Sequence, residues 1–261
     1  MGTLNITPDS FFDGGRYTTE KAIVTQAGKM ISEGADFIDV GGYSTRPGAA
    51  EVSAEEEQRR VIEAIRFILR DFPQTIISVD TFRASVAQAA VHAGASLVND
   101  VSAGALDPAM FPTVARLGVP YIAMHMRGTP QTMQSHTNYE DIVTDMITYF
   151  HQKIYQLVEL GVRDVIVDPG FGFSKTVQQN FHLLEHLREF TVLGRPVLVG
   201  LSRKSMIWKT LGVDPQSALN GTTVLNTIAC LSGADILRVH DVREAREVIK
   251  LFTASRDNVP G

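Results

Sequence analysis

Cysteine is nearly missing from this chain of 261 residues: Cys230 is the only one. No disulfide framework can form within the chain, and a reducing compartment suits it. Its place in an apolar, helical-looking run marks Cys230 as a small buried hydrophobe. No apolar run reaches the roughly 18 residues of a membrane span. No basic segment followed by an apolar core opens the chain, so no signal peptide is expected. Positive charge is not in excess either. The 24 Lys and Arg face 29 Asp and Glu, a formal charge of −5, whereas a general nucleic-acid binder would carry a basic stripe. Cofactor motifs are also scarce. No Gly-x-Gly-x-x-Gly opens the first helical stretch, and Gly200 to Ser205 (GLSRKS) lacks the first glycine and the Gly-Lys pair of a P-loop. No His/Cys cluster with zinc spacing is expected, and nothing resembles a nucleophile elbow. No linker or low-complexity segment divides the chain.

What is present is a repeated alternation. Short β-branched apolar runs at 2–6, 37–40, 75–79, 96–99, 119–124, 164–167, 196–200 and 236–239 predict strands. Amphipathic stretches at 20–33, 54–70, 82–92, 107–116, 139–160 and 177–188 predict helices between them, followed by 218–232 and 243–251. Ser202 is the expected cap of a further short helix. Glycines recur before strands, as in Gly34-Ala35-Asp36, Gly94-Ala95-Ser96 and Gly233-Ala234-Asp235, with Gly118 and Gly161 in comparable places. A glycine just past a helix stops it by turning left-handed. Strand–helix alternation implies parallel pairing. Eight such units in about 250 residues match an α/β fold of the (β/α)8 TIM-barrel type, in one domain spanning 1–261. An open doubly wound sheet is the alternative.

Polar residues gather at one end of every predicted strand: Asn5; the loop Gly41 to Arg46; Asp80; Asn99 and Asp100; Met124 and His125; Asp168; Ser202-Arg203-Lys204; Arg238 and His240. In such a barrel, that end holds the active site. Each residue has a bland reading: Asp80 could cap a helix, Asn99-Asp100 could be a turn pair, and His125 between methionines could be a core histidine. One register across eight strands is harder to explain by capping. Asp80, Asn99, Asp168 and Lys204 suit the hydrogen-bonding edge of a flat heterocycle such as a pterin or guanine. Arg46, Arg238, His240 and Arg203 suit phosphate or pyrophosphate. Asn5 could supply one oxygen to Mg²⁺. Gly170-Phe171-Gly172-Phe173 lets a flat ligand approach the backbone, with Phe173 as an apolar wall.

These blocks resemble the dihydropteroate synthases. Thr3 to Phe11 (TLNITPDSF) with Asp13-Gly14-Gly15 resembles their first signature, and Gly41 to Gly48 (GGYSTRPG) their second. Ser78 to Thr81 (SVDT), Asn99 to Ser102 (NDVS), Met124 to Gly128 (MHMRG), Asp168 to Phe173 (DPGFGF), Ser202-Arg203-Lys204 and Arg238 to Asp241 (RVHD) follow in order. The resemblance implies condensation of 4-aminobenzoate with 6-hydroxymethyl-7,8-dihydropterin diphosphate. The products would be 7,8-dihydropteroate and pyrophosphate, a step of folate synthesis that sulfonamides block.

It further implies that Asp80, Asn99, Asp168 and Lys204 hold the pterin, with Met124 and Phe173 lining its pocket. Asn5, Arg238 and His240 would hold the pyrophosphate, and Asn5 its Mg²⁺. Thr45, Arg46, Pro47, Phe173 and Ser202 would shape the aminobenzoate pocket. Asp13 and Arg46 would lie on two mobile loops and act, with Lys204, in catalysis. A cytoplasmic homodimer built on C-terminal helices is implied, or a mitochondrial protein if a presequence is removed. No nucleic-acid or membrane partner is expected. The chain opens inside its first strand, so a fragment of a longer folate-synthesis polypeptide is expected. Tyr43, Phe12 and Trp208 depart from the usual glutamate, small residue and glycine. A corrinoid-dependent pterin methyltransferase, a pterin-binding protein without turnover and an aldolase using Lys204 as a Schiff base are the competing readings.

Overall fold

The structure is a computed structural model that describes residues 1–6, 20–44 and 51–257. Phe12, Asp13, Thr45, Arg46 and Pro47 lie outside the described residues. Among those described, eight strands alternate with helices. The strands are β1 (Gly2–Asn5), β2 (Phe37–Gly41), β3 (Ile76–Asp80), β4 (Leu97–Asp100), β5 (Tyr121–Met124), β6 (Val165–Asp168), β7 (Leu198–Val199) and β8 (Ile236–Leu237). The helices are α1 (Glu20–Ser32), α2 (Ala54–Asp71), α3 (Ala84–His92), α4 (Met110–Leu117), α5 (Ile142–Glu159), α6 (Val177–Glu185), α7 (Ser205–Leu211), α8 (Leu219–Leu231) and α9 (Val242–Asp257). No described helix is long and apolar enough to cross a membrane.

Strands β1 to β6 pair in parallel in chain order, and β7 pairs with β8. Val167 N donates to Pro196 O at 3.0 Å, which carries the ladder from β6 to β7. Thr3 N to Val239 O and Val239 N to Met1 O, both 2.9 Å, join β8 back to β1. The sheet is therefore a closed eight-stranded parallel barrel, the architecture expected from the sequence.

Alternation along the strands sorts residues into two cores. Leu4, Ile38, Val40, Ile77, Val79, Val98, Ala123, Val165 and Val167 pack outward against the helices. The alternate positions fill the barrel. Met1, Leu97, Ile122 and Leu198, with Phe37, Ile166 and Ile236, form an apolar plug. One step along, register sets Thr3 beside Asp39 and Asp39 beside Ser78. The next step sets Asn5 beside Gly41, Gly41 beside Asp80, and Asp80 beside Asn99. Met124 similarly pairs with Asp168. The barrel thus becomes more polar from its plug to the C-terminal strand ends, because in-register neighbours of a parallel sheet face the same side.

Local signals explain about half of the helix ends. Ser53 Oγ accepts from Glu56 N at 3.2 Å, and three glutamates occupy the first turn of α2. Gly118 ends α4 with φ 63, and Gly34, Gly94, Gly161 and Gly233 also have positive φ, as their positions led one to expect. Several boundaries moved. Helices α3, α4 and α5 start two or three residues later than the amphipathic pattern suggested. In α5 the reason is visible: Asp141 accepts from Val143 N and Thr144 N at 3.0 and 3.1 Å. Helix α6 ends at Glu185 and a 3₁₀ stretch, Leu187–Leu193, follows. Ser202 does not cap α7. Lys204 stands at that position with no side-chain cap bond, and Ser202 Oγ instead accepts from His240 N at 3.2 Å.

Candidate active site

The mouth is organised around a guanidinium and two carboxylates. Arg238 Nε donates to Asp39 Oδ2 at 2.6 Å, and its Nη2 donates to Asp80 Oδ2 at 2.7 Å. Asn99 Nδ2 donates to the same Asp39 oxygen at 3.1 Å. Asp80 therefore does not cap a helix: its carboxylate turns inward to Arg238, while Ala84 N finds Asp107 Oδ2 at 2.7 Å. Burial pushes Asp80 up to about 7; Arg238 opposes that shift and the Asp39 charge adds to it. Desolvation thus outweighs the attraction of the guanidinium.

Asp168 and Lys204, at the ends of β6 and β7, attract each other through space. Asp168 Oδ1 accepts from Gly170 N at 2.7 Å. Burial raises the Asp168 carboxyl, against the attraction of Lys204. Burial lowers Lys204 to about 8, against the attraction of Asp168. The Lys204 ammonium donates to Phe171 O and stands 4.9 Å from the Phe173 ring centroid. Two glycines lie directly against this grouping. A Cβ on Gly200 would lie 3.7 Å from Lys204 Nζ and 3.9 Å from Arg238 Cβ. A Cβ on Gly41 would lie 3.5 Å from Asn5 Oδ1 and 3.6 Å from Asp80 Oδ2. Met124 packs with Val101, Met126 and Met133, and Phe173 leans on the same cluster. An apolar wall thus faces polar groups on four strands, as a flat heterocycle with a polar edge requires.

Of the residues named from sequence, Asn5, Asp80, Asn99, Met124, Asp168, Phe173, Lys204 and Arg238 meet at this mouth. Ser202 and His240 form their own pair at its edge, Nδ1 to Oγ 3.1 Å. Asp13, Thr45, Arg46 and Pro47 lie outside the described residues. Arg203 is not an anion group: it clasps Asp241 with two 2.8 Å bonds and donates to Pro215 O and Gln216 O. Asn99 and Asp100 are not one turn pair. Asn99 points into the barrel, while Asp100 accepts from Ser102 N, Gly104 N and Tyr121 Oη. His125 is the core histidine anticipated, edge-on to Tyr149 at 4.8 Å. Tyr43, in the loop after β2, is buried edge-on to Phe82 at 5.2 Å and accepts from Gln131 Nε2 at 3.1 Å. Trp208 packs at the margin of the outer core.

Two contributors escaped the sequence reading. Asp39 sits inside an apolar strand and is fully buried, yet it anchors Arg238 and Asn99. Its signal was an acid at the inward-facing period of FIDVG. Lys175 is buried too. Its Nζ donates to Gly170 O at 3.1 Å and Phe173 O at 2.9 Å, and meets His125 Nδ1 at 3.2 Å. Burial holds Lys175 far below the ordinary lysine range and His125 well below the ordinary histidine range. Lys175 thereby ties the loop that carries Phe173. A group of a different kind, with no cysteine, gathers at the C-terminal end of α6 from His182, Glu185 and His186.

Comparison with known proteins agrees with this geometry. A family model described as pterin binding enzyme matches residues 1–240. The dihydropteroate synthase of Escherichia coli (strain K12) is 43% identical over 257 residues, covering 98% of this chain and 90% of that protein. The crystal structure of the Yersinia pestis dihydropteroate synthase with a sulfonamide drug complex superposes with a TM-score of 0.95 at 42% identity, covering 98% of this chain and 94% of that one. The Xanthomonas albilineans dihydropteroate synthase with 4-aminobenzoic acid gives a TM-score of 0.91 at 40% identity, covering 100% and 93%.

Proposed function

The chain belongs to the pterin-binding enzyme family, among the dihydropteroate synthases, and we propose that it condenses 6-hydroxymethyl-7,8-dihydropterin diphosphate with 4-aminobenzoate, releasing pyrophosphate. The observation that carries this reading is the meeting of Asp80, Asn99, Asp168 and Lys204 from four separate strand ends, opposite Met124 and Phe173. The carboxylates accept from the pterin amino group and ring N–H, and Lys204 donates to its carbonyl. Arg238 and His240, with Asn5, face the diphosphate. Thr45, Arg46, Pro47 and Ser202, with Phe173, hold aminobenzoate. Asp13 and Arg46 serve the closing loops.

The chemistry asks little of the protein in covalent terms. The methylene C–O bond breaks with its electron pair going to pyrophosphate, and the electron-rich dihydropterin ring takes up the positive charge. The aniline nitrogen then forms the new C–N bond and loses a proton. Arg238 stabilises the departing negative charge. The acceptor ring around the pterin favours the cation, and a closed site keeps water from trapping it.

Asn5 Oδ1, beside the bare backbone of Gly41, is the side-chain oxygen that would bind Mg²⁺, held otherwise through phosphate and water. Mg²⁺ there would neutralise diphosphate charge. A second copy of the chain is the partner this reading favours. Val224, Ile228 and Leu231 form an exposed apolar stripe on α8, and Leu211 and Val213 lie exposed at the end of the adjoining α7.

The deciding experiment supplies purified protein with Mg²⁺ and the dihydropterin diphosphate, with and without 4-aminobenzoate. Pyrophosphate release that depends on aminobenzoate, with dihydropteroate formed, is the expected result. Tight pterin binding without release would leave a binding protein and overturn the synthase reading.

A further inference from the structure

Helix α6 ends in the sequence His182-Leu183-Leu184-Glu185-His186, on the outside of the barrel and unused by the chemistry above. The spacing of four sets the two imidazoles on one helical face, one turn apart. Their ring centroids are 4.4 Å apart. One ligating atom from each of His182, Glu185 and His186 lies within 4.8 Å of the others. His-x-x-Glu-His on a helix is a spacing that metal-binding helices use.

Three further features favour a cation here. The cluster occupies the C-terminal turn, where unpaired carbonyls leave the negative end of the helix dipole. Glu189, in the following 3₁₀ stretch, bonds His186 Nδ1 at 2.6 Å. A carboxylate on one ring nitrogen orients the imidazole and directs Nε2 outward as a ligand. Asp141 lies within electrostatic reach of His182. The nearest cation in the sequence, Arg188, is turned away onto Leu231 O at 2.9 Å.

We propose that His182, Glu185 and His186 form a surface site for a divalent transition metal such as Zn²⁺, oriented by Glu189. Two imidazoles and one carboxylate select Zn²⁺, Ni²⁺ or Cu²⁺ over Mg²⁺ or Ca²⁺, which take oxygen ligands. The site is distinct from the Asn5 oxygen proposed for Mg²⁺ at the barrel mouth. Three protein ligands leave one tetrahedral position open for water or another small ligand. Bound metal would staple the last turn of α6, whose first turn secures the active-site loop through Asn180 Oδ1 and Gly172 N at 2.6 Å.

The test is calorimetric titration of the full chain with ZnCl₂ in excess Mg²⁺, alongside melting temperature. One Zn²⁺ per chain is expected, with a raised melting temperature. His182→Ala and His186→Ala should each weaken binding by at least about tenfold, and Glu189→Gln by about tenfold as an outer partner. His151→Ala, an exposed histidine on α5, should change nothing. All four positions are solvent-accessible, so the variants should keep the unliganded melting temperature. Unchanged zinc affinity in the His182→Ala/His186→Ala double variant would overturn the proposal, as would no saturable zinc binding by the unmodified chain.

Discussion

Arg238 Nε and Asp39 Oδ2 meet at 2.6 Å inside the barrel, although 199 positions separate the two residues in the chain. The contact closes the mouth from beneath, because Arg238 stands on β8's exit and Asp39 on β2. Asp39 Oδ1, Thr3 Oγ1 and Ser78 Oγ have no hydrogen-bond partner among the described residues, so Arg238 and Asn99 supply the compensation that this buried acid has.

Removing the guanidinium should therefore cost stability as well as substrate affinity. Arg238→Ala is expected to lower unfolding free energy by about 3–5 kcal/mol, as when one member of a buried pair is lost. It should also raise the KM for the dihydropterin diphosphate. Asp39→Asn should recover part of the stability of Arg238→Ala by removing the orphaned charge. Urea unfolding of the single and double variants measures this coupling; additive losses would show that the pair is energetically unimportant.

Lys204 gives two pH dependences of opposite sign. Its ammonium is held at about 8 in the folded chain, below the 10.5 of an ordinary lysine. Between those values the unfolded chain binds more protons, so this residue makes stability rise with pH from about 8 to 10.5. Pterin affinity should do the reverse, falling as pH passes about 8 and the donor loses its charge. Pterin titrations at pH 7 and 9.5 compare the states. Lys204→Ala and Asp168→Asn should each greatly reduce turnover at any pH; near-normal turnover in either would reject the proposed pterin orientation.

Lys175→Met should act through the loop, leaving Gly170 O and Phe173 O without their buried donor. A loss of about 1–3 kcal/mol is expected from urea melts. Substrate KM should rise further than kcat falls, because the variant frees Phe173 while sparing the reacting groups.

Gly170→Ala is expected to be worse than its size suggests. The residue has φ +68, and a Cβ there would collide with the backbone oxygen of His125. Strain and collision together should cost more than about 2 kcal/mol. Thermal unfolding should show this plainly; an unshifted melting temperature would mean that the loop relaxes without penalty.

The apolar stripe on α8 should govern association. Sedimentation of the unmodified chain is expected to show a dimer, and Val224→Asp with Ile228→Asp a monomer. A unmodified chain that sediments as a monomer at micromolar concentration would remove the proposed interface.

The barrel and most of its mouth were legible because both follow short-range rules. Helix–glycine–strand units repeat, and Asp80, Asn99, Asp168 and Arg238 each sit where a strand runs out. The misses share a cause. Asp39 lies within a strand that otherwise reads as core, and its value depends on Arg238 arriving from the far end of the chain. Lys175 looks like a loop cation until the fold buries it under His125. Arg203 and Lys204 are sequence neighbours of the same charge, yet the Arg203 side chain runs to Asp241 and away from the mouth. The histidines of α6 are spaced visibly in the sequence, but Glu189 reaches His186 only through the turn that ends the helix.

Periodicity and turn chemistry by themselves determined the parallel (β/α)8 order and the placing of polar residues at the strand ends, because those patterns are set by backbone geometry over a few residues. The tertiary structure decided which charges meet. Closing the ladder between β8 and β1 brings Arg238 beside Asp39 and Asp80, and burial then shifts Asp80 and Lys204 toward neutral pH. Pairing and desolvation depend on distances through space, and these exist only once the barrel has closed.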